Sequence, residues 1–232
     1  MVIYLSINQS DKLYYMEAAE LKNYRQAYLL SLFTIFYNVA EGIISLIKGY
    51  EDETLTLFGF GADSFIEVLS GFGIALMISR IRLNPESSKS RFEIKALKMT
   101  GTAFYILSAG LFAGIIANLI NHHKPETTLW GVGISLVSIL VMVWLMNTKN
   151  KVGKKLHSKP ILADANCTKI CIYMSLVLLA SSLIYELTGF AYSDVLGSAG
   201  LIYFSLSEGK EAFESAKGKS CHCGAHCDND QE

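Results

Sequence analysis

Cysteine is scarce in this chain, with five in 232 residues. That is too few, in too long a chain, for a secreted disulfide scaffold. Charge is scarce too: 18% of residues are charged and the net charge is −1. A nucleic-acid-binding protein normally presents a strongly basic face, so that class is excluded. Proline occurs three times, as Pro85, Pro125 and Pro160. The amino terminus has no basic region followed by an apolar stretch, so it does not read as a secretory signal. No low-complexity tract is present. What the chain has instead is apolar residues, at 51%, which excludes disorder. Six membrane spans of about 20 residues would use roughly 120 of the 232 residues, leaving about 112 for tails and links.

The apolar residues are gathered into six runs, each long enough to cross a bilayer core. They cover Tyr28–Ile47, Leu55–Ile78, Met99–Ile120, Thr128–Met146, Ile161–Ile184 and Phe190–Leu206. The third and fourth contain no charged residue, and all three prolines fall between runs, where chain breaks belong. Soluble core helices are rarely apolar on every face. The pattern predicts an all-α polytopic membrane protein with six transmembrane helices. Seventeen of the 20 basic residues lie in the amino-terminal tail, the links after the second and fourth runs, and the carboxyl tail. Only Lys48 and Lys124 lie in the opposite links, and Lys169 lies within a run. Positive charge collects on the cytoplasmic side, so both termini are expected there. The layout is a cytoplasmic tail over residues 1–26, a six-span domain over 27–216 and a polar tail over 217–232. Within the first tail, Lys12–Lys22 is expected to form a short surface helix.

Charges inside spans are costly and are functional candidates by default. Here they are Glu41 on the first span, Asp63 and Glu67 on the second, Asp164 and Lys169 on the fifth, and Asp194 on the sixth. Asp63 and Glu67 are four apart, which stacks both carboxylates on one helix face. Cys167 and Cys171 repeat that spacing on the fifth span, with Asp164 on their face. Two facing helices with such pairs can enclose a four-coordinate cation. Mixed carboxylate and thiolate ligands suit zinc or cadmium better than magnesium or calcium. The bland alternatives stand beside this: buried cysteines as small apolar residues, and the acid pair as a proton or cation relay without a transition metal. Lys169 points away from this face and is expected to snorkel. Asn38, Glu41 and Ser45 form one stripe of the first span, either lining a pathway or joining helices. Gly110 and Gly114 on the third span, and Gly197 and Gly200 on the sixth, read as close helix packing, with a dimer contact as the alternative.

The carboxyl tail brings Cys221, His222, Cys223, His226 and Cys227 within seven residues. A short flexible segment of this kind can wrap zinc or a softer ion, although its spacing matches no standard zinc finger. A metal-capturing or sensing tail is the reading set against an inert one. His122 and His123 read as a solvated external link.

The chain resembles the cation diffusion facilitator family of proton-coupled metal exporters, over roughly Tyr28 to Ala216. The residues that carry the resemblance are Ala62-Asp63-Ser64 with Glu67, and Leu162-Ala163-Asp164-Ala165-Asn166-Cys167 with Cys171. Glu41-Gly42, Arg91-Phe92-Glu93 and Ser193-Asp194-Val195 also fit. The resemblance implies metal ligation by Asp63, Glu67, Cys167 and Cys171 near the midplane, with Asn38, Glu41 and Asp164 around them or along the pathway. Asp63 is expected level with Cys171, and Glu67 with Cys167. Two departures stand out. Cysteines replace the usual His and Asp of the fifth span, and the family's usual cytoplasmic ferredoxin-like domain is absent from this sequence.

The function implied is efflux of a divalent transition metal in exchange for protons across the cell membrane. Zn2+ leads, followed by Cd2+, Co2+, Fe2+ and Ni2+. No tightly bound cofactor and no enzymatic activity are expected. The expected partners are the lipid bilayer, the metal ion, protons and a second copy of the chain as a homodimer. A membrane metal sensor or sequestering adaptor is the competing reading of the same residues.

Overall fold

The computed structural model describes residues 9–83, 91–121, 125–156, 159–190 and 192–217. Among them are six α-helices and no strand: α1 Gln9–Glu51, α2 Leu55–Leu83, α3 Arg91–Asn121, α4 Leu129–Lys155, α5 Lys159–Thr188 and α6 Tyr192–Ala216. The first five are long and apolar enough to cross a membrane. The chain is an all-α polytopic membrane protein. The sixth helix is 25 residues long, so length suffices, but its last turns carry Glu208, Lys210, Glu211 and Glu214. Its first four turns hold Tyr192–Leu206 of the expected sixth run and bury Ser193, Asp194, Ser198 and Ser205 against protein.

One boundary differs from the expectation. Lys12–Lys22 is not a separate surface helix but the opening of α1, an unbroken helix of 43 residues. At 1.5 Å per residue that is about 65 Å, roughly twice a bilayer core. The cause is local: from Gln9 to Glu41 there is no glycine or proline to break the helix.

The closest pairs are α1 with α2, α4 with α5, and α3 with α6, while α2 also meets α3, α5 and α6. Lipid tails are as apolar as the side chains they would replace, so close van der Waals contact and polar bonds must join these helices. Gly61 shows how. A Cβ there would lie 2.7 Å from the Leu46 backbone nitrogen and 2.8 Å from Ser45 Cβ, so the α2 backbone packs directly on the backbone of α1. Two apolar clusters flank the middle of the bundle. One holds Ala27, Leu30, Ile78, Met142, Leu145 and Val152. The other holds Leu57, Phe60, Leu111, Met174, Leu178 and Leu201. On α2 the segment between Phe60 and Ile78 carries Asp63 and Glu67.

Asp194, a functional candidate by its position, turns out to cap α2. Its Oδ2 accepts Leu55 N–H at 3.0 Å and its Oδ1 accepts Thr56 N–H at 2.9 Å. Thr56 Oγ1 donates back to the Asp194 carbonyl at 2.7 Å. The first N–H groups of a helix have no partner within it, and a carboxylate suits that end of the dipole. Glu186 does the same for α4, accepting Thr128 N–H at 2.5 Å and Thr127 Oγ1 at 3.0 Å.

Candidate metal centre

Asp63 and Glu67 lie one turn apart on α2, as their spacing requires. Asp63 is 3% exposed, and its Oδ1 is buried with no hydrogen-bond partner. Glu67 is the junction of three helices. Its Oε1 accepts the Cys171 thiol of α5 in a short contact, and its Oε2 accepts Asn38 Nδ2 of α1 at 2.7 Å. Cys171 is a free thiol that also leans on the Cys167 carbonyl at 3.4 Å.

Here the register departs from the expectation: Glu67 meets Cys171, not Cys167. Spacing along each helix fixes which side chains share a face. The offset between α2 and α5 is set by how their surfaces pack, which spacing does not encode. Cys167, expected as a ligand, is half-buried one turn nearer the amino-terminal end of α5. Its sulfur is engaged in a disulfide, so Cys171 is the free thiol beside Glu67. Among the described residues, no three His, Cys, Asp or Glu side chains stand close enough to hold one metal ion.

A second layer surrounds Glu67. Glu41 is 6% exposed, and its two oxygens accept Tyr37 OH at 2.7 Å and Ser64 Oγ at 3.2 Å. The α1 stripe therefore faces α2 through Asn38 and Glu41. Ser45, its third member, is buried with an unpartnered hydroxyl.

Two charges have a partner that their sequence positions did not suggest. Lys149, counted among the basic residues of a cytoplasmic link, is buried on α4, with Nζ 3.0 Å from Asp164 Oδ2. Asp164, expected beside the cysteines, is accordingly committed to that lysine. Lys169 is exposed and sits 5.7 Å from the Tyr173 ring centre, within cation–π range. Gly197 and Gly200 pack as expected, against Ser181 and Thr56 and against Val177. Gly110 faces open space.

Glu208 was not singled out by its sequence position, because it falls just beyond the last apolar run. Its Oε1 is buried without a partner, its charge acts on Asp63, and the charge of Glu67 acts on it. The signal was available in principle. The buried stripe Leu201, Ser205, Gly209, Ala212 continues past the run, so α6 stays packed where hydropathy had ended it. The bundle thus concentrates Glu41, Asp63, Glu67 and Glu208 in a low-dielectric interior, an arrangement that favours cations. Cys221, His222, Cys223, His226 and Cys227, and likewise His122 and His123, lie outside the described residues.

The model of the cation efflux transmembrane domain matches residues 32–217. The chain is also similar to an uncharacterized transporter of Methanocaldococcus jannaschii, at 27% identity over 188 residues. That match covers 79% of this chain and 65% of the relative, so the chain spans just under two thirds of the relative's length.

Proposed function

The chain belongs to the cation efflux transmembrane domain family, and from that membership we propose that it exports a divalent transition-metal cation from the cytoplasm in exchange for protons. Zn2+ is the first candidate substrate, carried through a site formed by Asp63 and Glu67 of α2 with Cys167 and Cys171 of α5.

The observation that carries this reading is the contact between Glu67 and Cys171, beside a buried Asp63 with an unpartnered oxygen. Oxygen and sulfur donors together suit a borderline-soft ion. A free thiol near pKa ~8.5 is mostly protonated at neutral pH, so a metal that binds it must displace a proton. Metal leaving on the far side lets the proton return, and alternating exposure of such a site couples the two fluxes in opposite directions. Asn38 orients the Glu67 carboxylate, and Glu41 holds Ser64, the residue after Asp63. Asp63 lies one turn from Glu67 on the same helix face, and Cys167, disulfide-bonded in this structure, joins the ligand set in its reduced form. The chain works in the cell membrane with both termini cytoplasmic, and the five Cys and His residues of the tail capture or sense metal.

Purified protein in liposomes loaded with a zinc-sensitive dye tests the reading. Zn2+ should move against an imposed proton gradient, and Asp63→Ala should abolish that flux. Zn2+ binding without any flux would favour a sensor and sink the transporter. A Cys167→Ser/Cys171→Ser variant with unchanged transport and metal preference would make the cysteines packing residues.

A further inference from the structure

Lys149 is 2% exposed and lies on a face of α4 that also buries Ser138, Met142, Leu145 and Val152. Spacings of three and four make that one helical stripe. A lysine there occupies a position that suits an apolar residue, and an ammonium removed from water is costly unless paired. Its partners are Asp164 Oδ2 at 3.0 Å and Thr168 Oγ1 at 3.1 Å. Thr168 Oγ1 donates in turn to the Asp164 carbonyl at 3.1 Å.

Asp164, Thr168, Cys171 and Ser175 form the matching stripe of α5. Ser175 donates to Ser138 at 3.0 Å across the same seam. Thr168 is three residues, about 4.5 Å along the axis, from Cys171, and Cys171 carries Glu67. The ammonium is therefore held about one turn from the thiol of the candidate site, and its charge acts on Glu67. The charges acting on Asp63 are those of Glu67, Glu208 and Glu41, all acidic.

Anchoring the two helices does not by itself explain the pair. The Ser138–Ser175 bond already joins them, and Gly153 packs closely on Leu162. Replacing a buried ion pair with apolar residues is often neutral for stability. What an apolar pair would not provide is a positive charge that acts on Glu67 of the candidate site.

Resting on the metal site proposed above, we infer that Lys149 is the internal counter-cation of that site, tethered by Asp164 and Thr168. It balances the carboxylates while no metal is bound and opposes the incoming divalent cation, which lowers metal affinity and speeds discharge.

The test uses the full chain in detergent, titrated with Zn2+ by calorimetry, and then the same variants in proteoliposomes. Lys149→Met should bind Zn2+ about three- to tenfold more tightly and turn over more slowly, with KM and kcat falling together. Lys149→Arg should stay near wild type. Unchanged or weaker Zn2+ binding by a folded Lys149→Met overturns the inference. So does a lower melting temperature and kcat with an unchanged KM, the signature of a structural pair. If Lys149→Met does not give monodisperse protein, Lys149→Met/Asp164→Asn removes both charges. That variant should keep part of the affinity gain, and wild-type affinity would overturn the inference. Asp63→Asn separates the two readings. If it binds Zn2+ like wild type, the metal site itself fails. If it loses Zn2+ while Lys149→Met is unchanged, only the role of Lys149 fails.

Discussion

Asn38 donates to Glu67 Oε2 at 2.7 Å from a position with no exposed surface, so a residue of α1 decides which way an α2 carboxylate faces. With one oxygen of Glu67 taken by Asn38, the other is turned to Cys171. Polar groups that orient a metal ligand typically contribute 10- to 100-fold in affinity. Asn38→Ala should therefore weaken Zn2+ binding roughly tenfold without preventing folding. Calorimetric titration of the purified variant checks this, and unchanged affinity would leave Asn38 as a helix-joining residue only.

Asp194→Ala should destabilise the bundle and leave transport chemistry alone. Loss of a helix-capping oxygen costs about 0.5–2 kcal/mol, which for a chain of this size lowers the melting temperature by about 1–8 °C. Thr56, which Asp194 caps, is 11 residues from Glu67, about 16 Å along α2, so KM for Zn2+ should not change. Asp194→Asn keeps one acceptor oxygen and should cost about half as much. A variant with normal melting behaviour but no flux would put Asp194 on the transport pathway.

Six runs of apolar residues made the architecture legible, because lipid demands a continuous apolar stretch for every span. The residues of the site were legible for a related reason: Asp63, Glu67 and Cys171 are costly or reactive groups in spans, and four-residue spacing stacks them. Three things were hidden, and all depend on tertiary packing. The Glu67–Cys171 register is a property of two surfaces, not of either helix. Lys149 looked like a link residue because hydropathy ends a span at a charge, whereas a charge with a partner can remain inside it. Asp194 stood among the candidate charges because nothing in its own helix reveals that it serves the amino terminus of another.

Gly61 and Gly110 should respond oppositely to the same change. A Cβ at Gly61 would meet Leu46 N at 2.7 Å and Ser45 Cβ at 2.8 Å, whereas one at Gly110 would meet nothing within 4 Å. Neither backbone yields easily, so Gly61→Ala should cost about 1–3 kcal/mol by overpacking α1 against α2. Gly110→Ala should be neutral or slightly stabilising, since alanine is the better helix former. Thermal melts of the two variants in detergent decide this. A clear loss at Gly110 would mean that a second copy of the chain packs on α3.

Asp52, in the turn between α1 and α2, supplies a pH dependence distinct from that of transport. Burial is the main reason its carboxyl is held above the ordinary carboxylate range. Lys48 opposes the shift, while Glu51, Glu126 and Glu186 add to it. A carboxyl raised in the folded state binds its proton more tightly there than in the unfolded chain. Its stabilising contribution is then fully present below the unfolded pKa of about 3.9 and is lost as pH rises through the folded value. Asp52→Asn keeps the shape and removes the charge. It should raise the melting temperature at neutral pH by about 1–4 °C and flatten the fall in stability on the acidic side. Melts across pH 4 to 8 measure both, and a variant that is less stable than wild type at pH 7 would show that the charged form of Asp52 is a stabilising partner in the turn.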